Sequence, residues 1–250
     1  MQSTTDIPTV DILGFPLANV DMAEAVAAAV ALLGRKTCSR IVTANAEILY
    51  RAHKDPALGR LLLEADFIVP DGIGAVKAAT KLGTPLKTRV AGIDLMGELV
   101  AWAAVHGRSI YLLGAEQASV EGSVAAMLDL HPSLRIAGWH NGYFDAEEKA
   151  KILQEIGGAK PDFLFVGMGF PASDLFFTQH IEQLPVGLMV GVGGSFDVLS
   201  GRVPRAPMWV QRMHMEWAFR FAQNPKRLKR IWALPGFLLA VGHQKRKRGQ

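Results

Sequence analysis

Between Ser109 and Val192 the chain repeats one pattern: a short apolar run, then a longer segment with helical periodicity. Ser109–Leu113, Leu134–Trp139, Asp162–Val166 and Gly187–Val192 read as strands. Ser119–Leu130, Ala146–Ile156 and Ser173–Gln183 read as the helices between them. Strands joined through helices cannot pair as hairpins, so they lie side by side in parallel, with the helices covering both faces of the sheet. The same alternation starts upstream. Asp21–Leu33 is Ala-rich and helical, with Asp21 as N-cap and Glu24 completing a capping box. Arg40–Thr43 and Phe67–Val69 are short strands. Ala57–Ala65, residues 72–81 and Ile93–His106 are helical, the last closed by Gly107. The expected fold is α/β: a mostly parallel, Rossmann-like sheet flanked by helices.

Ligands of such sheets bind beyond the carboxyl ends of the strands. The polar and glycine-rich motifs fall there: Thr43, Asp71, Gly114, Gly167 and Gly193 each close or follow a strand. Thr43-Ala44-Asn45-Ala46-Glu47 opens a helix, where its short polar side chains can cap the helix or touch a ligand. Val69-Pro70-Asp71-Gly72-Ile73-Gly74 puts a carboxylate at a strand end, among glycines and next to a helix N-terminus. That placement suits a general base, although taken alone it fits a turn or cap aspartate better. Arg89 precedes a helix start; its guanidinium can fork onto phosphate, or pair with Asp94. Gly191-Val192-Gly193-Gly194-Ser195-Phe196-Asp197 is a loose phosphate-type loop lacking the Gly-Lys-Ser/Thr of a Walker A motif. No G-x-G-x-x-G follows the first strand, so nothing supports a dinucleotide. The seven histidines show no metal-ligand spacing and there is no Asp-x-Asp pair. No metal and no cofactor are therefore expected, and diphosphate charge falls to arginines, helix N-termini and backbone amides.

Charge is unevenly spread. Residues 201–250 hold 12 of the 27 Lys and Arg but one acid, Glu216, a local +11 against −7 for residues 1–200. This stretch also carries Trp209, Trp217 and Trp232. It reads as two helices, 207–222 and 225–241, with Lys245–Arg248 as a frayed tail. The expected organisation is an α/β catalytic domain over 1–200 and a basic helical C-terminal appendage over 201–250. Such a segment is drawn to an anionic partner, a lipid surface or a nucleic acid. Its apolar residues Ile231, Leu234, Phe237, Leu238 and Leu239, interleaved with the charge, favour the lipid surface over nucleic acid. The most apolar stretch, 231–242, is interrupted by Pro235 and far short of the ~20 residues of a membrane span. The single cysteine, Cys38, excludes an intrachain disulfide and suits a reducing cytosol, and the first residues show no signal-peptide pattern.

Taken in order, several segments form a pattern: Thr43–Glu47, Pro70–Gly74, Arg89–Leu95, Leu112–Gly114, Asn141–Phe144, Gly167–Pro171, Gly191–Asp197, Arg205–Trp209, Glu216–Arg220 and Pro225–Arg230. In that order and spacing the chain resembles the WecG/TagA/CpsF glycosyltransferase family over about residues 10–235. The resemblance implies an inverting, metal-independent transferase. It would move a sugar (N-acetylmannosamine or a related hexose or uronic acid) from a UDP-sugar to a polyprenyl-diphosphate-linked saccharide in surface-polysaccharide assembly. It implies Asp71 as catalytic base with Thr43 and Asn45 beside it. The donor and its diphosphate would be held by Arg89, Tyr143, Gly169, Ser173, Gly193, Ser195 and Asp197, and by the appendage arginines Arg220, Arg227 and Arg230. Ser173-Asp174 departs from the family's Gln-Glu pair, which implies an altered donor contact. The implied setting is the cytoplasmic face of the bacterial membrane, peripherally bound. The sequence leaves the oligomeric state open, a homo-oligomer included. Two other readings compete: a nucleic-acid-binding protein using the basic tail, and a non-catalytic sugar-nucleotide sensor.

Overall fold

The computed structural model describes residues 7–35, 37–213, 216, 219 and 233–248. Its centre is a six-stranded, all-parallel sheet in the order β4-β3-β8-β7-β5-β6. The strands are β3 (Ser39–Ala44), β4 (Phe67–Pro70), β5 (Ser109–Gly114), β6 (Arg135–His140), β7 (Phe163–Gly167) and β8 (Leu188–Gly191). An antiparallel hairpin precedes them, β1 (Thr9–Ile12) and β2 (Phe15–Ala18), joined through Leu13-Gly14. Both turn residues have positive φ, 58° and 92°, as a type I′ turn needs.

Helices cover both faces. On one face α1 (Met22–Leu33), α5 (Gly92–Val105) and α6 (Gln117–Leu130) pack on Ile41, Val69, Leu112, Phe165 and Val190. On the other face there are two clusters. Residues 42, 44 and 68 meet α2 (Ala46–Lys54), α3 (Pro56–Leu63), α4 (Ile73–Lys81), the hairpin and a C-terminal helix. Residues 111, 113, 164, 166 and 189 meet α7 (Ala146–Ala159) and α8 (Ala172–His180). Successive strand residues thus alternate between cores, and the central strands read as unbroken apolar runs because both faces are covered. The expected capping box on α1 is present: the Asp21 carboxylate accepts from the Glu24 N–H, and Glu24 accepts from the Asp21 N–H. Lys87 donates to Glu24 as well and holds its carboxyl below the usual range.

The C-terminal region differs from the expectation in two respects: the helix expected over 207–222 stops at Arg212, with a turn at Met213, and the charged tail is helical. After α9 (Ser195–Leu199) and α10 (Met208–Arg212), helix α11 runs from Ala233 to Arg248, so Lys245–Arg248 is ordered helix and not a frayed tail. The reason is a set of partners more than 230 residues away. Gln244 accepts from the Leu13 N–H at 2.9 Å and its amide donates to Asp11, while Arg248 donates to the Asp11 carboxylate at 2.8 Å. Phe237 and Val241 are fully buried in the cluster of α2, α4 and the hairpin. Among the described residues no helix is long and apolar enough to cross a membrane.

Candidate active site

The carboxyl ends of all six strands lie along one edge, with Ala44 paired to Pro70, Val42 to Gly191, Val166 to Gly191 and Gly114 to Gly167. Two groups of residues gather there.

The first group stands over β3 and β4. The Asp71 N–H donates to the Ala44 carbonyl, and the Pro70 carbonyl accepts from the Val90 N–H, both at 2.9 Å. These bonds clamp the end of β4 between β3 and the segment that leads into α5. Gly72, at φ 96°, then turns the chain into α4. Asp71 is left partly exposed, with its side chain 28% accessible and its Oδ1 3.8 Å from the Arg89 Nε. Arg89 is not paired with Asp94, which instead binds Arg205 at 2.6 Å. The other arm of Arg89, Nη2, makes a close ion pair with Glu216. Thr43 is buried. Its hydroxyl donates to the Gly191 carbonyl at 3.0 Å, and α5 begins against it: a Cβ on Gly92 would lie 3.0 Å from Thr43 Oγ1. Thr43 therefore builds the wall between β3, β8 and α5. The Asn45 side chain accepts from the Ile48 N–H as the N-cap of α2, the plainer of its two expected roles.

The second group stands over β5, β7 and β8. The chain leaves β5 outward to β6 but leaves β7 inward to β8, so the loops after these neighbours diverge, and the crevice opens where binding is expected. The strands end on glycines that touch: a Cβ on Gly114 (φ 135°) would come 2.5 Å from the Gly167 backbone. The loop after β6 folds onto both ends, its Gly142 N–H donating to the Ala115 carbonyl at 2.8 Å. That loop presents Tyr143, 73% exposed, with its backbone N–H bonded to Asn141 Oδ1 and the Asn141 amide bonded to Gln117. Gly169 and Gly193 take positive φ in the loops after β7 and β8. The Asp197 carboxylate accepts from Ser119 of α6 at 2.8 Å.

Two residues expected to touch the donor face inward. Ser195 is buried and donates to the Val192 carbonyl at 2.6 Å; Ser173 is buried and donates to the Val166 carbonyl at 3.3 Å. Beside Ser173, Asp174 forms a fully buried ion pair with Arg40 of β3 at 3.0 Å. Burial pushes the Asp174 carboxyl up to about 6, against the opposing pull of Arg40. Arg220, Arg227 and Arg230 lie outside the described residues. Among the described residues no three His, Cys, Asp or Glu side chains gather to hold a metal ion. Sequence reasoning did not single out Glu216 as a site residue. Its signals were being the only acid in an otherwise basic stretch and opening the Glu216–Arg220 segment of the family pattern.

A profile of the Glycosyl transferase WecG/TagA/CpsF family matches residues 10–250, nearly the whole chain. The chain belongs to this family. Among relatives of this glycosyltransferase, a protein of Staphylococcus aureus (strain MW2) is 35% identical over 249 residues, covering 99% of this chain and 97% of its own length. One of Bacillus subtilis (strain 168) is 35% identical over 209 residues, 84% of this chain and 81% of its own length. One of Bacillus spizizenii (strain ATCC 23059 / NRRL B-14472 / W23) is 36% identical over 201 residues, 80% and 77% of the two chains. All three are named N-acetylglucosaminyldiphosphoundecaprenol N-acetyl-beta-D-mannosaminyltransferase.

Proposed function

We propose that this glycosyltransferase moves an N-acetylmannosamine-like sugar from a UDP-sugar to a polyprenyl-diphosphate-linked saccharide during surface-polysaccharide assembly, with inversion, without a metal, and with Asp71 as the base. The acceptor and the sugar follow the names of the relatives, which cover most of this chain. The observation that carries the mechanism is the setting of Asp71. It is an accessible carboxylate at the carboxyl end of a central-sheet strand, fixed by two backbone hydrogen bonds and standing beside Arg89.

In this reading Asp71 takes the proton of an acceptor hydroxyl. That oxygen attacks the anomeric carbon as the bond to the diphosphate breaks, and UDP leaves with the electron pair. The departing diphosphate is neutralised by arginine: Arg89 at the strand ends, with Arg220, Arg227 and Arg230 supplied by the C-terminal segment. The exposed Tyr143 ring offers a surface for the uracil, and the Gly193–Asp197 loop approaches the diphosphate. Ser173 and Ser195 serve the loops' own geometry, so the contact expected at Ser173 is dropped from the donor site. An acceptor joined to a lipid places the enzyme at the cytoplasmic membrane surface, where the +11 of residues 201–250 favours an anionic leaflet.

The test is turnover of Asp71→Asn, assayed with UDP-sugars and a short-chain lipid-diphosphate N-acetylglucosamine and read by mass spectrometry. A positioned base contributes ~10²–10⁴-fold in rate. A loss in that range, in a chain with unchanged circular dichroism, supports the role. Turnover near the wild-type rate removes Asp71 from it.

A further inference from the structure

We propose that Glu216 is a positioning residue for the transfer reaction: it holds the Arg89 guanidinium back from Asp71, so that the carboxylate read above as the base keeps its basicity. The inference rests on that reading of Asp71.

Arg89 stands between two carboxylates and is shared unequally. Its Nη2 is in close contact with Glu216, while its Nε is 3.8 Å from Asp71, beyond hydrogen-bond distance. That Nε is buried and makes no hydrogen bond among the described residues. Glu216 is itself buried, with its side chain 9% accessible, and its second oxygen has no hydrogen-bond partner among the described residues. Burying a carboxylate with half of its acceptors unused costs stability, so simple anchoring accounts poorly for it. Anchoring is also already provided: Arg202 pairs with Glu116 at 2.8 Å and Arg205 with Asp94 at 2.6 Å, both exposed, with the basic partner on the C-terminal segment. Glu216 reverses that polarity and brings the only acid of residues 201–250 to Arg89, an arginine beside Asp71.

The consequence follows from guanidinium geometry. An arginine within reach of a single carboxylate forks onto it through two parallel N–H donors. A carboxylate held in that way is a poorer proton acceptor, because the bonds it would give up favour its ionised form. With Glu216 bound to Nη2, the fork is turned away, and Arg89 makes a long contact to Asp71 in place of a bidentate one. The residue acts through Arg89 and not on the substrate.

The experiment has two arms. In the first, the Nε–Hε resonance of Arg89 is assigned by its loss in Arg89→Lys and then followed in Glu216→Gln, a variant of the same size as the native side chain. The expected result is a displaced Arg89 resonance in an otherwise conserved spectrum, reverting toward wild type when Asp71→Asn is added. In the second arm, kcat falls about tenfold in Glu216→Gln with the acceptor KM unchanged, Glu216→Asp recovers most of the loss, and Glu216→Gln combined with Arg89→Lys is no worse than the poorer single variant. An Arg89 resonance that does not move, or wild-type kcat in Glu216→Gln while Asp71→Asn is inactive, overturns the proposal. Full activity of Asp71→Asn overturns instead the reading of the base. If the wild-type chain turns over none of the offered donors, the resonance arm decides alone.

Discussion

Replacing Asp174 with asparagine measures what a buried charge costs this fold. Asp174 and Arg40 are both almost fully enclosed, and burial raises the Asp174 carboxyl from 3.8 to about 6 even with Arg40 in contact. A carboxyl whose pKa is higher in the folded chain than in the unfolded one binds its proton more tightly in the fold. Its contribution to stability is therefore complete below about pH 4, declines as the pH rises to about 6, and is level above. Two pH units at about 1.4 kcal/mol each give about 3 kcal/mol. Asparagine keeps an oxygen for the Arg40 Nη1 donor but cannot titrate, so the variant lacks this decline. Its stability relative to wild type should thus rise by about 3 kcal/mol between pH 4 and pH 7, whatever constant offset the substitution brings. For a chain of this size that is a change of roughly 6–12 °C in the difference between the two melting temperatures. Thermal melts of both chains at pH 4, 5, 6 and 7 provide the assay. Groups common to both cancel in the difference. A difference that is constant with pH, or that falls as pH rises, would refute the reasoning; the second outcome would mean that Arg40 outweighs desolvation and holds Asp174 low.

Two further outcomes are expected. Turnover should survive dialysis against excess EDTA; activity that vanishes and returns with Mg²⁺ or Mn²⁺ would remove the metal-free assignment. Phe237→Ala should cost about 3–5 kcal/mol by emptying a fully buried site, read as a lower denaturation midpoint, whereas Leu239→Ala on the exposed side of the same helix should change stability by less than about 0.5 kcal/mol.

The sheet was legible because its signals are local. The β-runs at 110, 163 and 188 are almost wholly apolar, and a helix such as α1 carries its own cap and stop, so alternation alone implied parallel strands. Asp71 and Thr43 could be placed at strand ends for the same reason. What escaped depends on distant partners. The β1–β2 hairpin is two four-residue runs around Leu13-Gly14, too short to stand out, although Val10, Ile12, Phe15 and Leu17 do turn inward together. Lys245–Arg248 looked like a solvated charge run because nothing nearby in sequence pairs with it; Asp11 does. A serine in a glycine-rich loop reads as a ligand contact, but Ser195 and Ser173 spend their hydroxyls on backbone carbonyls within seven residues of themselves. The pairing of Arg89 with Glu216 spans more than 120 residues, and local sequence suggested Asp94 instead.

The union of α11 with the hairpin also bears on how the protein is made. Phe237 and Val241 are synthesised more than 200 residues after Val10 and Leu17, yet all four belong to one buried cluster. While the ribosome works through the intervening sheet, the apolar sides of α2 and α4 that α11 will cover stay open to water. At ~5–20 residues per second this exposure lasts at least several seconds. The nascent chain thus carries a half-built apolar face through the synthesis of the whole central sheet, and α11 is the piece that closes it.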